Sequence, residues 1–563
     1  MKKFIAVLTV LFVGLSITAC ALPSNKETVQ VAELADYTIV YPSNYKDWQM
    51  EEVYLLQNTI EHITGTRINA VPDSEPEAKR EIILASSSRE TAFSSQISSF
   101  ANRMDYVVAV DNKDIVLGGL NYYSDMRAVY DFVNNYLGYD DIEDIYSESK
   151  AVSGTKTYMY KEPSLTLMGS NLSVSAYTSV EAVRDMAECN FNMIQIMADR
   201  YTDEEMRNFA KWCARYEIRV LVYAITDFEN ETITVTDLED AVENPMIWGH
   251  YIKDEPVFDD YGKWSNITRE YVEKYSKYGW KAYMNHCYMH ALDSENAEIF
   301  KEAYAKSFGS LIDIFSYDVY YGHLTNRNTS KVLSELEACR QYALDNGQDF
   351  WNYIESYRLI VNNSNTSKMF RWHSYVSLCF GATGIEYFQY GDCSPNASET
   401  RKPNHYKNCL IDADGNKLDA WYDARKTNAE LLKIADVYAQ YDNVGAYTIN
   451  RDDEDYATRL CNPYDFSDVI TDFKDSIAQY EDVYLVGCFD KKDGDGHAFI
   501  LVNMEPLNDY EYGKDIVLPI GLKINGETVN FYRDGELCEV NRDEDGYYLL
   551  EAGNGSCWFV TVD

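Results

Sequence analysis

The chain has 563 residues, 50 of them basic and 91 acidic, for a formal charge of −41. That balance argues against nucleic acid or an anionic membrane face as a partner and favours a neutral ligand. The length accommodates about three domains, or fewer where one is a large barrel.

Lys2 and Lys3 precede an apolar run over residues 4–15, followed by Ile17-Thr18-Ala19-Cys20. A charged region, a short hydrophobic region and a small-residue cleavage site are the parts of an export signal. The run is too short to span a membrane, which takes about 20 apolar residues. The four-residue motif resembles a bacterial lipobox. It implies a signal peptide over residues 1–20, a lipid on Cys20, and a membrane-anchored, extracytoplasmic protein at the bacterial cell surface, tethered by residues 21–28. Such a location permits disulfides, and Cys393 and Cys409, which bracket a polar loop, are the preferred pair. The Cys residues form no Cys-x-x-Cys motif and the eight His are scattered, so neither a metal nor another cofactor is expected.

Residues 35–150 read as a small α/β domain. A strand at 37–41 leads into a helix with Val53, Leu56, Ile60 and Ile63 at three-and-four spacing, ending at Gly65. A strand follows at 81–85, then a hairpin turning at Asp111-Asn-Lys-Asp, then a helix from about Ser124 to Gly138. This order resembles the non-catalytic domain that precedes the barrel in bacterial hexosaminidases and α-glucuronidases. The acidic, then polar, segment 140–161 reads as a linker.

Over residues 162–443 the pattern becomes strict alternation of strand and helix. Strands are expected at 165–169, 191–197, 220–225, 249–253, 281–285, 312–317, 350–354 and 384–388. Amphipathic helices stand between them, for example at 178–189, 203–216 and 330–346. Eight such units without a Gly-rich phosphate turn after the first strand indicate a (β/α)8 barrel over a doubly wound sheet. From 444 to 563 helical periodicity fades. Strand-like runs at 483–489, 498–503, 515–518, 528–532, 547–550 and 557–562 suggest an antiparallel β-sandwich packed on the barrel. The expected class is therefore α/β, a TIM barrel flanked by a small α/β domain and a β-sandwich.

In such a barrel the working residues stand where strands end. Those tips read Asn171, Gln195, Tyr223 with Asp227, Asp254-Glu255, Asn285-His286, Tyr317-Asp318 with Tyr320, Glu355, and Gln389-Tyr390. Polar groups laced with aromatics suit a hydroxyl-rich carbohydrate. The 48 Tyr residues are compatible with sugar stacking, though Tyr is also a common half-buried strand residue. Trp351, Trp372 and Trp421 are candidates for stacking, though each such Trp is more often core.

Carboxylates end strands four and seven, and here the chain resembles the clan of retaining (β/α)8 glycoside hydrolases. The resemblance implies Glu255 as acid/base and Glu355 as nucleophile. Where that clan usually carries Asn before the acid/base, this chain has Asp254. Tyr317 or Tyr320 is placed to hydrogen-bond the nucleophile. The segment with Trp421 and Asn428 looks like the closing helix of β-galactosidase-like barrels. A plainer role for Glu355 is an ion pair with Arg358 or Lys253.

The Asp254-Glu255 pair also resembles that of substrate-assisted N-acetylhexosaminidases, in which the Asp holds the attacking acetamido group. Adjacent strand residues face opposite ways, so the two converge only where the chain leaves strand geometry, for which Pro256 is a cause. A third reading is a non-catalytic carbohydrate-binding lipoprotein. Asp412-Ala-Asp-Gly-Asn416 resembles the start of a calcium loop, but Lys417 stands where that loop has Gly and Asp423 where it has Glu, so it reads as a turn. His286 and His290 lack a third ligand and read as rim hydrogen-bonding groups.

Overall fold

A computed structural model describes residues 28–172, 179–197, 201–236, 238–286, 297–318, 329–356, 366–391, 409–412, 414–449, 465–475, 484–503, 519–551 and 556–563. Cys20, His290, Tyr320, Arg358, Cys393 and the expected strand at 515–518 lie outside them. The chain forms two compact units, one ending at Tyr160 and one running from Lys161 to Asp563.

The first unit is a six-stranded sheet in the order Thr155–Tyr158, Tyr106–Asp111, Asp114–Gly119, Glu81–Leu84, Thr38–Tyr41, Asn69–Pro72. The helix Glu51–Thr64 buries Val53, Leu56 and Ile60 along one side and stops at Gly65, whose left-handed φ of 73° suits a residue without Cβ. Asn121 caps the helix Tyr122–Phe132 by accepting from the Tyr123 and Ser124 N–H groups. The segment expected as a linker folds back instead: Val152–Ser153 pairs with Thr28–Val29, and Thr155–Tyr158 forms the sheet edge. An edge strand with mostly solvent-facing side chains carries no apolar alternation, so its sequence looks like a tether.

The second unit opens with a closed barrel of parallel strands in chain order: Thr166–Leu172, Met193–Ile196, Arg219–Tyr223, Ile247–Asp254, Lys281–His286, Ile314–Asp318, Asp349–Glu355 and Ala382–Phe388. We refer to these as strands one to eight. Alternation sends one face of each strand into the lumen, where Met168, Met193, Leu221, Tyr251, Tyr283, Ile314, Trp351 and Tyr353 form one cluster. The other face, including Ile194, Val220, Ile252, Phe315, Ile354 and Ile385, packs on the surrounding helices. Gly384 is required by the lumen packing, since a Cβ there would stand 2.5 Å from the Trp351 ring.

Beyond the barrel a six-stranded sheet runs Tyr441–Ile449, Tyr484–Lys491, His497–Asn503, Cys557–Val562, Val529–Arg533, Glu536–Cys538. A three-stranded sheet of Ile470–Asp475, Pro519–Ile524 and Tyr548–Glu551 completes the sandwich. Val486, Phe499, Val560, Ile520 and Leu550 fill the space between the sheets. The outer face of the larger sheet, with Leu485, Ile500 and Phe559, shares a core with the barrel helices Thr366–Cys379 and Asp419–Tyr438.

Candidate active site

Strand four reaches the rim through an irregularity. Tyr251 stands opposite Tyr283 and Asp254 opposite Asn285, so three steps on strand four match two on strand five. This β-bulge restores Asp254 to the lumen face, which regular alternation would have given to Lys253. Lys253 turns to the helix layer, its ammonium 5.7 Å from the Trp264 ring, so it does not pair with Glu355. Glu255 follows in a left-handed conformation with φ 49°, and its N–H donates to the Asn285 carbonyl at 2.9 Å. Non-Gly residues rarely adopt that conformation, which costs on the order of 1 kcal/mol or more. The departure from strand geometry expected at Asp254-Glu255 thus comes from the bulge and the left-handed turn.

Both carboxylates act on Asp318, the last residue of strand six. Burial, then the charges of Glu255 and Asp254, then a hydrogen bond with Glu255, hold the Asp318 carboxyl well above the usual range. Its Oδ1 has no hydrogen-bond partner among the described residues. Asp254 itself is solvent-exposed and accepts from the Tyr251 hydroxyl at 2.8 Å and the Asn285 amide at 3.3 Å. Glu355 ends strand seven on the parity of Trp351 and Tyr353, and is buried. Glu255 and Glu355 therefore follow strands four and seven at the same end of the barrel.

Beneath the rim lies a carboxyl that the sequence reading passes over. Glu386, on strand eight, is wholly buried. It stands opposite Tyr353 on strand seven and Met168 on strand one. The Tyr283 hydroxyl lies 2.6 Å from its Oε2, and Ser316 Oγ lies 3.3 Å away. Tyr283 also reaches Ser316 at 2.6 Å, and Ser316 reaches Asn285 Oδ1 at 3.1 Å. Burial raises the Glu386 pKa to about 8, against the opposing influence of the Tyr283, Tyr353 and Ser316 hydroxyls around it. Tyr353 in turn donates to Gln195 on strand two at 2.8 Å. The available signal was an acidic residue on the inward parity of an apolar strand, between Gly384 and Phe388.

The remaining expected site residues divide by parity. Tyr223 faces the lumen, its ring 4.2 Å from that of Tyr251. Asn285 joins the network above. Trp351 also faces inward but packs lower, against Trp248 at 5.3 Å and over Gly384, as lumen core.

Tyr317 and His286 point outward, which corrects their assignment to the site. Alternation gives the lumen to Ser316 and Asp318, and to Asn285, leaving Tyr317 and His286 among the rings of Phe315, Tyr304 and Phe308. Burial there lowers the His286 imidazole to about 3. Tyr390 is likewise outer core: it packs on Phe191, and the Trp421 indole N–H donates to its hydroxyl at 3.3 Å. Gln389 is wholly buried, its carbonyl accepting from the Ser356 hydroxyl at 3.0 Å. Asn171 belongs to strand one, and its side chain lies outside the described residues, as does Tyr320. Trp372 and Trp421 are buried core. Asp412 Oδ1 accepts the Asp414 and Asn416 N–H groups at 2.9 and 2.8 Å, folding the turn expected there.

No family profile matches the chain, and no curated protein does. Among solved structures, the chain is similar to a family 39 glycoside hydrolase from Bacteroides cellulosilyticus WH2 at 11% identity and TM-score 0.41, covering 75% of this chain and 86% of that one. It is similar to a family 51 α-L-arabinofuranosidase from Bifidobacterium longum at 9% identity and TM-score 0.38, covering 71% and 95%. It is also similar to a family 30 subfamily 8 xylanase from Clostridium acetobutylicum at 8% identity and TM-score 0.35, again covering 71% and 95%. The chemistry of the site rests on this chain's own residues.

Proposed function

We propose that the barrel is a glycoside hydrolase, a retaining β-glycosidase acting on oligo- or polysaccharides at the cell surface. The observation that supports it is Glu255 directly after strand four and Glu355 at the end of strand seven, at one end of a closed barrel. Glu255 delivers a proton to the leaving oxygen, while Glu355 attacks the anomeric carbon to form a glycosyl-enzyme that water then hydrolyses. The exposed rim suits a neutral, hydroxyl-rich substrate in a strongly acidic protein.

The test is cleavage of a panel of aryl β-glycosides with the product anomer read by NMR. A retaining enzyme gives net retention, and Glu355→Gln lowers kcat by about a thousandfold or more. Inversion, or full activity in that variant, overturns the assignment of Glu355.

A second reading, substrate-assisted N-acetylhexosaminidase action, is favoured by one observation. The bulge and the left-handed Glu255 bring Asp254 and Glu255 together, and Tyr251 and Asn285 hold Asp254. In that case Glu355→Gln spares turnover of N-acetylated substrates and Asp254→Asn abolishes it. Glycan binding without turnover, unaffected by either Glu255→Gln or Glu355→Gln, marks a carbohydrate-binding protein. Cys20 is proposed as the lipid anchor, supported by the Ile-Thr-Ala-Cys motif. Release of a Cys20→Ala protein into the medium tests this, and unchanged membrane retention refutes it.

A further inference from the structure

The hydrogen bonds beneath the rim have a direction, and one proton sets it. Tyr283 has a single hydroxyl proton and stands 2.6 Å from both Ser316 Oγ and Glu386 Oε2, so it donates to only one of them. Ser316 likewise has one proton, with Asn285 Oδ1 at 3.1 Å and Glu386 Oε2 at 3.3 Å. Asp254 accepts from the Asn285 amide at 3.3 Å, which requires Asn285 to turn Nδ2 to the rim and Oδ1 to Ser316. An amide oxygen facing Ser316 needs Ser316 as donor, and Ser316 then needs a proton from Tyr283. Tyr283 is free to give it only when Glu386 donates to Tyr283.

We propose that Glu386 is a positioning residue whose carboxyl proton orients the chain Glu386–Tyr283–Ser316–Asn285 and thereby holds Asp254 in place beside Glu255. The inference rests on reading the rim carboxyls as glycosidase machinery. When Glu386 ionises, its carboxylate draws the protons of Tyr283 and Ser316 toward itself. Ser316 and Asn285 Oδ1 then meet as two acceptors, the Asn285 amide turns over, and Asp254 exchanges a donor for an oxygen. Asp254 is held directly by Tyr251 and Asn285, so loss of the Asn285 donor leaves it one of its two supports.

The groups facing Glu386 leave its proton little competition. Tyr283 approaches from strand five, Ser316 from strand six, Tyr353 from strand seven, Met168 from strand one, and the Asp254 charge bears on it from strand four. Gln195 on strand two and Tyr223 on strand three act through Tyr353. None of these is cationic. Burial together with the Asp254 carboxylate therefore favours the neutral acid, and burial brings its ionisation to about 8.

Three variants test the proposal on the full chain. Glu386→Gln keeps a donor at every pH, Glu386→Leu removes both the donor and the carboxylate that competes for the Tyr283 proton, and Ser316→Ala breaks the chain while leaving Glu386 intact. We expect Glu386→Gln to keep kcat within about threefold and to lose the decline that wild type shows as pH rises through about 8. We expect Ser316→Ala, which leaves Asn285 Oδ1 without its donor, to lower kcat about tenfold at all pH values, and Glu386→Leu to lose the alkaline decline as Glu386→Gln does. Crystal structures supply a readout independent of turnover: in wild type the Asn285–Asp254 contact is lost above about pH 8, whereas in Glu386→Gln and Glu386→Leu it holds at every pH. An alkaline limb in Glu386→Gln identical to that of wild type, or an Asn285–Asp254 contact that stays undisturbed in wild type above about pH 8, overturns the proposal. If the crystallographic pattern holds while no glycoside is cleaved, the glycosidase reading falls and the positioning role stands.

Discussion

A carboxyl buried without a cation makes stability depend on pH in a calculable direction. Glu386 ionises near 8 in the folded protein, against an ordinary value of 4.5. The folded state therefore binds this proton more tightly than the unfolded chain does. Its contribution is fully present below about 4.5 and is lost as pH rises through about 8. Asp125, wholly buried in the first unit and raised by burial to about 7, adds a slope of the same sign. We expect the thermal midpoint of the Lys161–Asp563 unit to fall with pH across this window, and Glu386→Gln to flatten the fall. The loss avoided at high pH is of the order of a few kcal/mol. Thermal melts of wild type and Glu386→Gln across the window check this, and parallel curves would show that Glu386 ionises where an ordinary carboxylate does.

Strands are where the sequence speaks most clearly and also where it misleads. All eight barrel strands are legible, because apolar runs four to eight residues long stand between helices with a different period. Glu255 and Glu355 are legible too, since an acidic residue closing such a run is visible along one dimension. Facing is harder. Tyr317 and Asp318 sit at the same tip, and only the parity fixed inside the barrel says which one enters it. At Asp254 a single extra residue reverses that parity. Glu386 escapes notice because its partners come from strands five, six and seven, which only barrel closure assembles.

The same closure makes strand eight intolerant of bulk. Gly384→Ala places a methyl group 2.5 Å from the Trp351 ring, an overpacking worth about 1–3 kcal/mol of lost stability. Adding Trp351→Leu should recover part of that loss, a non-additivity readable in a double-mutant cycle of denaturation midpoints. Full additivity would show that the two positions do not share the space.

At the scale of the molecule, barrel and sandwich are joined by more than chain connectivity. Arg371, on the helix Thr366–Cys379, binds Glu430 on the closing helix Asp419–Tyr438 through Nε at 2.8 Å and through a second nitrogen. It reaches Asp534 in the sandwich at 2.6 Å. The Glu430 side chain is almost wholly buried. Arg371→Met would strand that charge, and we expect a loss of about 3 kcal/mol, measured as a lower denaturation midpoint. A loss within about 0.5 kcal/mol would mark the contact as an ordinary surface pair. Where the two layers meet, Gly487 lets the sheet approach so closely that a Cβ would stand 2.4 Å from the Cys379 backbone. A boundary drawn at 444 therefore separates folds in sequence but cuts through a shared core.

The ring-lined lumen also contributes to the optical signature of the folded protein. Trp248 and Trp351 lie nearly stacked at 5.3 Å, and Tyr223, Tyr251 and Tyr283 continue the series at 4.2 and 4.8 Å. Rings fixed at such distances in an asymmetric interior give strong near-ultraviolet circular dichroism, which vanishes once specific packing loosens even while helices and strands persist. Loss of the lumen packing can thus be read by light alone as the part of that signal removed by Trp351→Leu, from the same aromatic column on which the buried carboxyl rests.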